Sequence, residues 1–235
     1  MMKNKVICLC LIVSLLIGFS LLKKEKKYKK YVYLAMGDFI VSIDGSYSDL
    51  MYENNKDKID CYNKFLSRKS MTSSELLRLL SVDVSIIYDG VNKRVSKVIK
   101  DSSLITISVG YNDVMNNVRY NSITNSYSYD KTVVDRSISM LQENLFNIIE
   151  VIYSYNDDIN VLVTSIYYPH IYVDNSDEYL YLSINDAIES ACMDGKAKYI
   201  DVSVVSNVDY INKGEVFPNG AGNMVIYNEV KSYIW

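Results

Sequence analysis

The sequence predicts an α/β chain in which helices cover both faces of a parallel sheet, a three-layer α/β/α sandwich. Two observations carry this reading. From Tyr31 onward, short β-rich runs alternate with longer amphipathic stretches, which is the strand-to-helix alternation of a layered α/β domain. The strand runs are also nearly continuous in apolar residues, the mark of strands buried on both faces. With 235 residues, 49% of them apolar, and only two Pro, the chain holds enough apolar material for one well-filled core.

The first element is Val6 to Leu22, a 17-residue apolar run without a charge. As a helix it spans about 25 Å, enough for a thin or locally adjusted bilayer. Lys3 and Lys5 precede it and a Lys-rich segment to Lys30 follows. No small-x-small cleavage site closes the run, and neither Cys8 nor Cys10 lies at its end as a lipid-modified Cys would. This reads as an uncleaved signal anchor with its juxtamembrane segment over residues 1–30, followed by one domain over residues 31–235. The flanking lysines favour a cytoplasmic domain by the positive-inside tendency, or serve attraction to anionic headgroups at either face.

Within the domain, Tyr31 to Met36, Ser103 to Val109, Asn160 to Ser165 and Lys198 to Val202 are short and β-branched, and read as strands. Helical spacing occupies Ser73 to Leu80, Val91 to Lys100, Lys131 to Tyr155 and Asp177 to Met193. In the longest of these, Val134, Ile138, Leu141, Leu145, Ile148, Ile149 and Ile152 share one apolar face. Asn116 to Asp130 reads as a polar surface loop or flap, and Ala221 to Tyr233 as a closing helix.

Composition excludes several functions. Residues 1–30 carry eight Lys against one Glu, +7, and the remainder has 17 basic and 27 acidic residues, −10. So acidic a body is a poor partner for nucleic acid, whose phosphates need Lys or Arg. The chain's one His, His170, rules out a multi-histidine metal site, and the four Cys form no Cys-x-x-Cys clip; no metal or cofactor is expected. Cys61 and Cys192 lie far apart in sequence and read as free buried thiols, although a disulfide stays open outside the cell. The 22 Tyr against five Phe and one Trp read as a bias of nucleotide composition rather than a binding device.

Function should reside in the loops at the carboxyl ends of the strands. After the first strand comes Gly37-Asp38-Phe39. The strand at Ser103 to Val109 runs into Gly110-Tyr111-Asn112-Asp113, and before the last helix stands Gly214-Glu215-Val216-Phe217-Pro218-Asn219-Gly220-Ala221-Gly222. In this order the blocks resemble the SGNH/GDSL hydrolases, a family of lipases and esterases, over essentially all of residues 31–235. The resemblance implies a five-stranded sheet in the flavodoxin-like order 2-1-3-4-5, with the loops at Gly37, Ser70, Gly110 and Gly214 to Phe217 meeting at one end.

Ester hydrolysis of this kind needs a Ser to attack the carbonyl, a His to take its proton, an acid to orient the His, and donors for the oxyanion. By the resemblance, Phe39 stands at the Ser position, Ser70 at an oxyanion Gly, Gly214 at the Asp and Phe217 at the His. Of the side-chain machinery only Asn112 is kept, with Gly37, Asp38, Gly110 and Asp113 as its frame. Phe can neither attack nor carry a proton, and losing triad members costs several orders of magnitude in rate. The expected protein is therefore a membrane-anchored, catalytically inactive relative that binds or scaffolds at the cell surface. Active relatives point to an acyl or glycan ligand. An alternative keeps an active acyl or carbohydrate esterase with a rearranged site, using Ser42 or Ser46 as nucleophile and His170 as base. Asn112 has two readings as well, as a ligand contact or as a tie that holds the turn.

Overall fold

Strand β1 (Tyr31–Gly37) lies near the centre of the sheet in the computed structural model, which describes residues 30–235 apart from 89, 122, 124–125, 169–177 and 214. In chain order follow α1 (Phe39–Ser42), α2 (Tyr47–Glu53), β2 (Ile59–Ser67), α3 (Ser73–Ser81), β3 (Ser85–Tyr88), β4 (Val91–Arg94) and α4 (Val95–Asp101). The second half contains β5 (Leu104–Ser108), α5 (Tyr111–Met115), β6 (Arg119–Asn121), β7 (Ser126–Ser128), α6 (Lys131–Tyr155), β8 (Asn160–Thr164), α7 (Glu178–Gly195), β9 (Lys198–Ile200) and α8 (Gly220–Ser232). The expected anchor, Val6 to Leu22, lies outside the described residues. Among those residues no helix is long and apolar enough to cross a membrane.

Five strands pair in parallel in the order β2-β1-β5-β8-β9. The numbers depart from the expected 2-1-3-4-5 because two antiparallel hairpins outside the sheet, β3-β4 and β6-β7, take numbers of their own. β5 is buried at every position, as its continuous apolar run requires. Edge strand β2 instead buries only Ile59, Asn63 and Leu66, at irregular spacing, so it lacks such a run.

Sheet side chains alternate between two layers. Leu34, Met36, Ile105, Ile107, Val161 and Val163 pack under α3, α4, α6 and α7, while Tyr33, Ala35, Leu104 and Leu162 pack under α2 and α8. The long helix α6 has the bounds its periodicity predicts. Asp130 caps it by accepting from the Thr132 and Val133 amides, and Val134, Leu141, Leu145, Ile148, Ile149 and Ile152 are buried. Each such burial contributes about 1.5–3 kcal/mol.

Two expectations are corrected. Val91 to Arg94 is not helical but the second strand of a hairpin, paired Ser85↔Arg94 through Tyr88↔Val91. Asp89-Gly90 is the Asp-Gly turn signal for such a hairpin, and Gly90 has φ +70°; the helix therefore starts only at Val95. Asn116 to Asp130 is likewise not simply a loop, since it contains the hairpin β6-β7 with Tyr120 opposite Tyr127. Cys61 and Cys192 are free thiols, but only Cys192 is buried and Cys61, on the edge strand, is half-buried; burial pushes the Cys192 thiol up to about 12.

Candidate functional site

Four loops converge at the carboxyl ends of β1 and β5. Gly37 ends β1 at φ +134°, and a Cβ there would stand 2.0 Å from the Ser108 carbonyl oxygen. Only glycine permits that approach. The next amide, Asp38, donates to the same Ser108 oxygen at 2.8 Å, and the Gly37 carbonyl accepts from the Arg68 amide at 3.0 Å. Asp38 is fully buried as the N-cap of α1 and accepts from the Ile40 amide through Oδ1 at 3.1 Å. Its Oδ2 has no partner among the described residues. Burial, and secondarily the nearby Asp113 carboxylate, drives the Asp38 carboxyl well above the usual carboxylate range.

Block three is tied to block two. Asn112 Nδ2 donates to the Lys69 and Met71 carbonyls, both at 3.0 Å, so its two amide hydrogens are committed to backbone. Asp113 accepts from the Ser73 amide at 3.0 Å through both oxygens and from the Ser73 hydroxyl at 2.5 Å. Asn144 of α6 donates to that hydroxyl in turn at 3.1 Å. Burial raises the Asp113 carboxyl, and the Ser73 bonds oppose the rise. Of the two readings of Asn112, the tie that holds the turn is the one its bonds express. Gly110, at φ +129°, supplies the N-cap of α5 between these anchors. Ser70 is an exposed turn residue beside them.

The last block brings Phe217 to the same place. The Phe39 ring is only 3% exposed. It meets Tyr111 edge-on at 5.1 Å and Phe217 at 5.2 Å between centroids. Such pairs contribute about 0.5–1.5 kcal/mol each beyond their area. Lys69 Nζ stands 5.2 Å over the Phe217 ring. Backbone bonds fix this loop: Phe217 O accepts from the Asn212 amide at 2.9 Å, and the Tyr167 hydroxyl donates to Val216 O at 2.6 Å. Asn219 caps α8 by accepting from the Gly222 amide.

Tyr111 and Phe217, but not Phe39, border a cleft of about 510 Å³ whose lining also includes Asn112, Asn116, Tyr120, Tyr127 and Glu215. None of its described lining residues is Ser, Thr, Cys or His. The alternative nucleophiles are placed elsewhere. Ser46 is fully buried as the N-cap of α2, in a capping box with Asp49 and bonded to Ser48 Oγ at 2.9 Å. The Ser42 hydroxyl is also buried and has no hydrogen-bond partner among the described residues. Both hydroxyls are therefore buried rather than presented to the cleft. His170 and Gly214 lie outside the described residues.

Sequence reasoning located Phe39, Asn112 and Phe217 at one site but overlooked Tyr111, Lys69, Tyr120 and Tyr127. For Tyr120 and Tyr127 the signal was present in the alternation Arg119-Tyr120-Asn121 and Ser126-Tyr127-Ser128, which sends the two tyrosines to one face of a hairpin.

No family model matches the chain, and no curated protein sequence matches it. Solved structures do. A lipase, Lip_vut3, from a goat rumen metagenome is 18% identical with a TM-score of 0.65, covering 88% of this chain and 98% of its own. The acetyl xylan esterase AlAXEase is 18% identical with a TM-score of 0.59, covering 86% and 99%. A structure described as a putative lipolytic protein of the G-D-S-L family, from Desulfitobacterium hafniense DCB-2, is 14% identical with a TM-score of 0.57, covering 87% and 100%. The described domain has the SGNH/GDSL hydrolase fold of lipases and esterases.

Proposed function

We propose that this chain uses the SGNH/GDSL hydrolase fold without hydrolysis, as a membrane-anchored module that binds or scaffolds at the cell surface. The observation that supports this most strongly is the Phe39-Tyr111-Phe217 cluster. At the matched nucleophile and base positions it sets two rings that cannot transfer a proton. The loss extends to the oxyanion side, because the retained Asn112 amide is directed at two carbonyls rather than at a developing charge. What remains is an open, aromatic-walled cleft suited to holding a ligand. The names of the similar structures, a lipase and an acetyl xylan esterase, suggest acyl or glycan groups as ligands.

The test is direct. Purified full-length protein should neither turn over short acyl esters nor be labelled by a serine-directed phosphonate; labelling at Ser42 or Ser46, abolished by His170→Ala, would establish the rearranged esterase instead. The anchor rests on the Val6 to Leu22 run. It requires that the protein stay in the membrane fraction with its N-terminus intact, and that protease added to intact cells digest the domain. A soluble form beginning near Tyr31 would show cleavage, and a protected domain would show the cytoplasmic orientation.

A further inference from the structure

Four aromatic side chains line the cleft that Tyr111 and Phe217 border, together with Met115, Val118 and Val216. Tyr111 and Phe217 line it from the block-three and last loops, and Tyr120 and Tyr127 enter from the β6-β7 hairpin. The two hairpin rings stand 5.5 Å apart at 63°, an angled pair rather than a flat platform. The one charged side chain among the described lining residues is Glu215. Strand alternation sends the neighbouring Arg119 to the other side of the hairpin, beside Asp130.

These walls bear on which ligand class fits. An anion would find no Lys, Arg or His among the described lining residues, with Lys69 over the Phe217 ring as the nearby cation. A neutral sugar would meet the Asn116 amide and the tyrosine hydroxyls, while the Asn112 amide hydrogens are already given to Lys69 and Met71. A cation fits, because ring faces are negative and the rim carries a carboxylate. Phe217 already demonstrates the attraction through Lys69, whose ammonium stands over its ring. Lys69 is also the nearby positive charge an incoming cation must tolerate. A methylated ammonium is weakly hydrated and loses little on entering such a site.

We propose that this cleft binds a quaternary or methylated ammonium group, held by Tyr111, Tyr120, Tyr127 and Phe217 with Glu215 as the balancing charge. This rests on reading the cleft as the ligand site of an inactive hydrolase fold. It adds recognition of an organic cation to the binding role that reading gives the cleft.

The experiment is calorimetric titration of the full chain in nanodiscs of phosphatidylglycerol, a lipid without a quaternary ammonium. The probes are choline and its uncharged carbon analogue, in which a tert-butyl group replaces trimethylammonium. Choline should bind about tenfold more tightly than the analogue, and Tyr120→Ala or Glu215→Gln should each weaken it about five- to tenfold. Tyr120 is 37% exposed on a hairpin outside the sheet, so its removal leaves the core intact. Equal affinity for both probes, no binding of either, or choline binding unchanged by both substitutions would overturn the proposal. Phosphonate labelling of the same sample would instead sink the inactive-fold reading, so the two failures are distinguishable.

Discussion

Beneath α3, α4, α6 and α7 the sheet presents Leu34, Ile105, Ile107, Val161 and Val163; beneath α2 and α8 it presents Tyr33, Thr106, Ser108 and Thr164. The first layer is aliphatic. In the second, the Tyr33 hydroxyl bonds Thr106 Oγ1 at 2.8 Å, Tyr47 bonds Ser108 Oγ at 3.0 Å, and Ser108 bonds Thr164 Oγ1 at 2.7 Å. Burial pushes the Tyr47 phenol up to about 12, so these bonds join neutral groups. The difference teaches a division of labour. Undirected burial supplies most of the stability from one side, while directional bonds on the other fix how β5, β8 and α2 sit beneath the cleft.

The sharpest way to test that division is Leu145→Ala in α6. Leu145 is fully buried in the aliphatic layer, and its truncation should cost about 2–5 kcal/mol in urea unfolding. Tyr47→Phe, on the hydroxyl side, should cost only about 0.5–1.5 kcal/mol, because Ser108 keeps Thr164 as a partner. If the tyrosine change equals the leucine change, the layers do not differ as described.

The smallest effect is expected of Asp38→Asn at pH 4, where a neutral acid is exchanged for an amide of the same shape. Its signature appears as the pH rises. The Asp38 carboxyl is raised in the folded state, so above about pH 4 the unfolded chain releases a proton that the folded chain retains. Stability should fall as pH climbs through the folded value, and Asp38→Asn should remove that part of the decline. Parallel stability-pH curves for the two proteins would exclude the buried-acid account.

Of the four strands that sequence revealed, β9, at the far edge, was read from the short Lys198 to Val202 run although only Ile200 of the strand is buried, while β1, β5 and β8 write their position as continuous apolar runs. β2 does not, because Ile59, Asn63 and Leu66 are buried while Asp60 and Phe65 are exposed, and no single period survives at that edge. The same holds for α1 and α5, which have four and five residues and are too short to show a periodicity. At the site, Phe39, Asn112 and Phe217 were legible because their blocks, in chain order after the strands, resemble the motifs of the hydrolase family. The commitment of the Asn112 amide was not, since it depends on carbonyls some forty residues earlier, at Lys69 and Met71. The two hairpin tyrosines of the cleft escaped notice because abundance hides position: among 22 they gain their meaning only when β6 pairs with β7.

The contact of Phe39 with Tyr111 and Phe217 also bears on which sequences this one can reach by mutation. Phe39→Ser alone would empty the space between the rings and install a serine with no base to activate it. Phe217→His alone would install a base with nothing to deprotonate and would remove the ring beneath Lys69. Either of these two steps toward a hydrolase thus loses packing and gains no turnover. The cluster acts as a ratchet: selection for stability opposes each first step back, and neutral drift carries the chain further from ester chemistry.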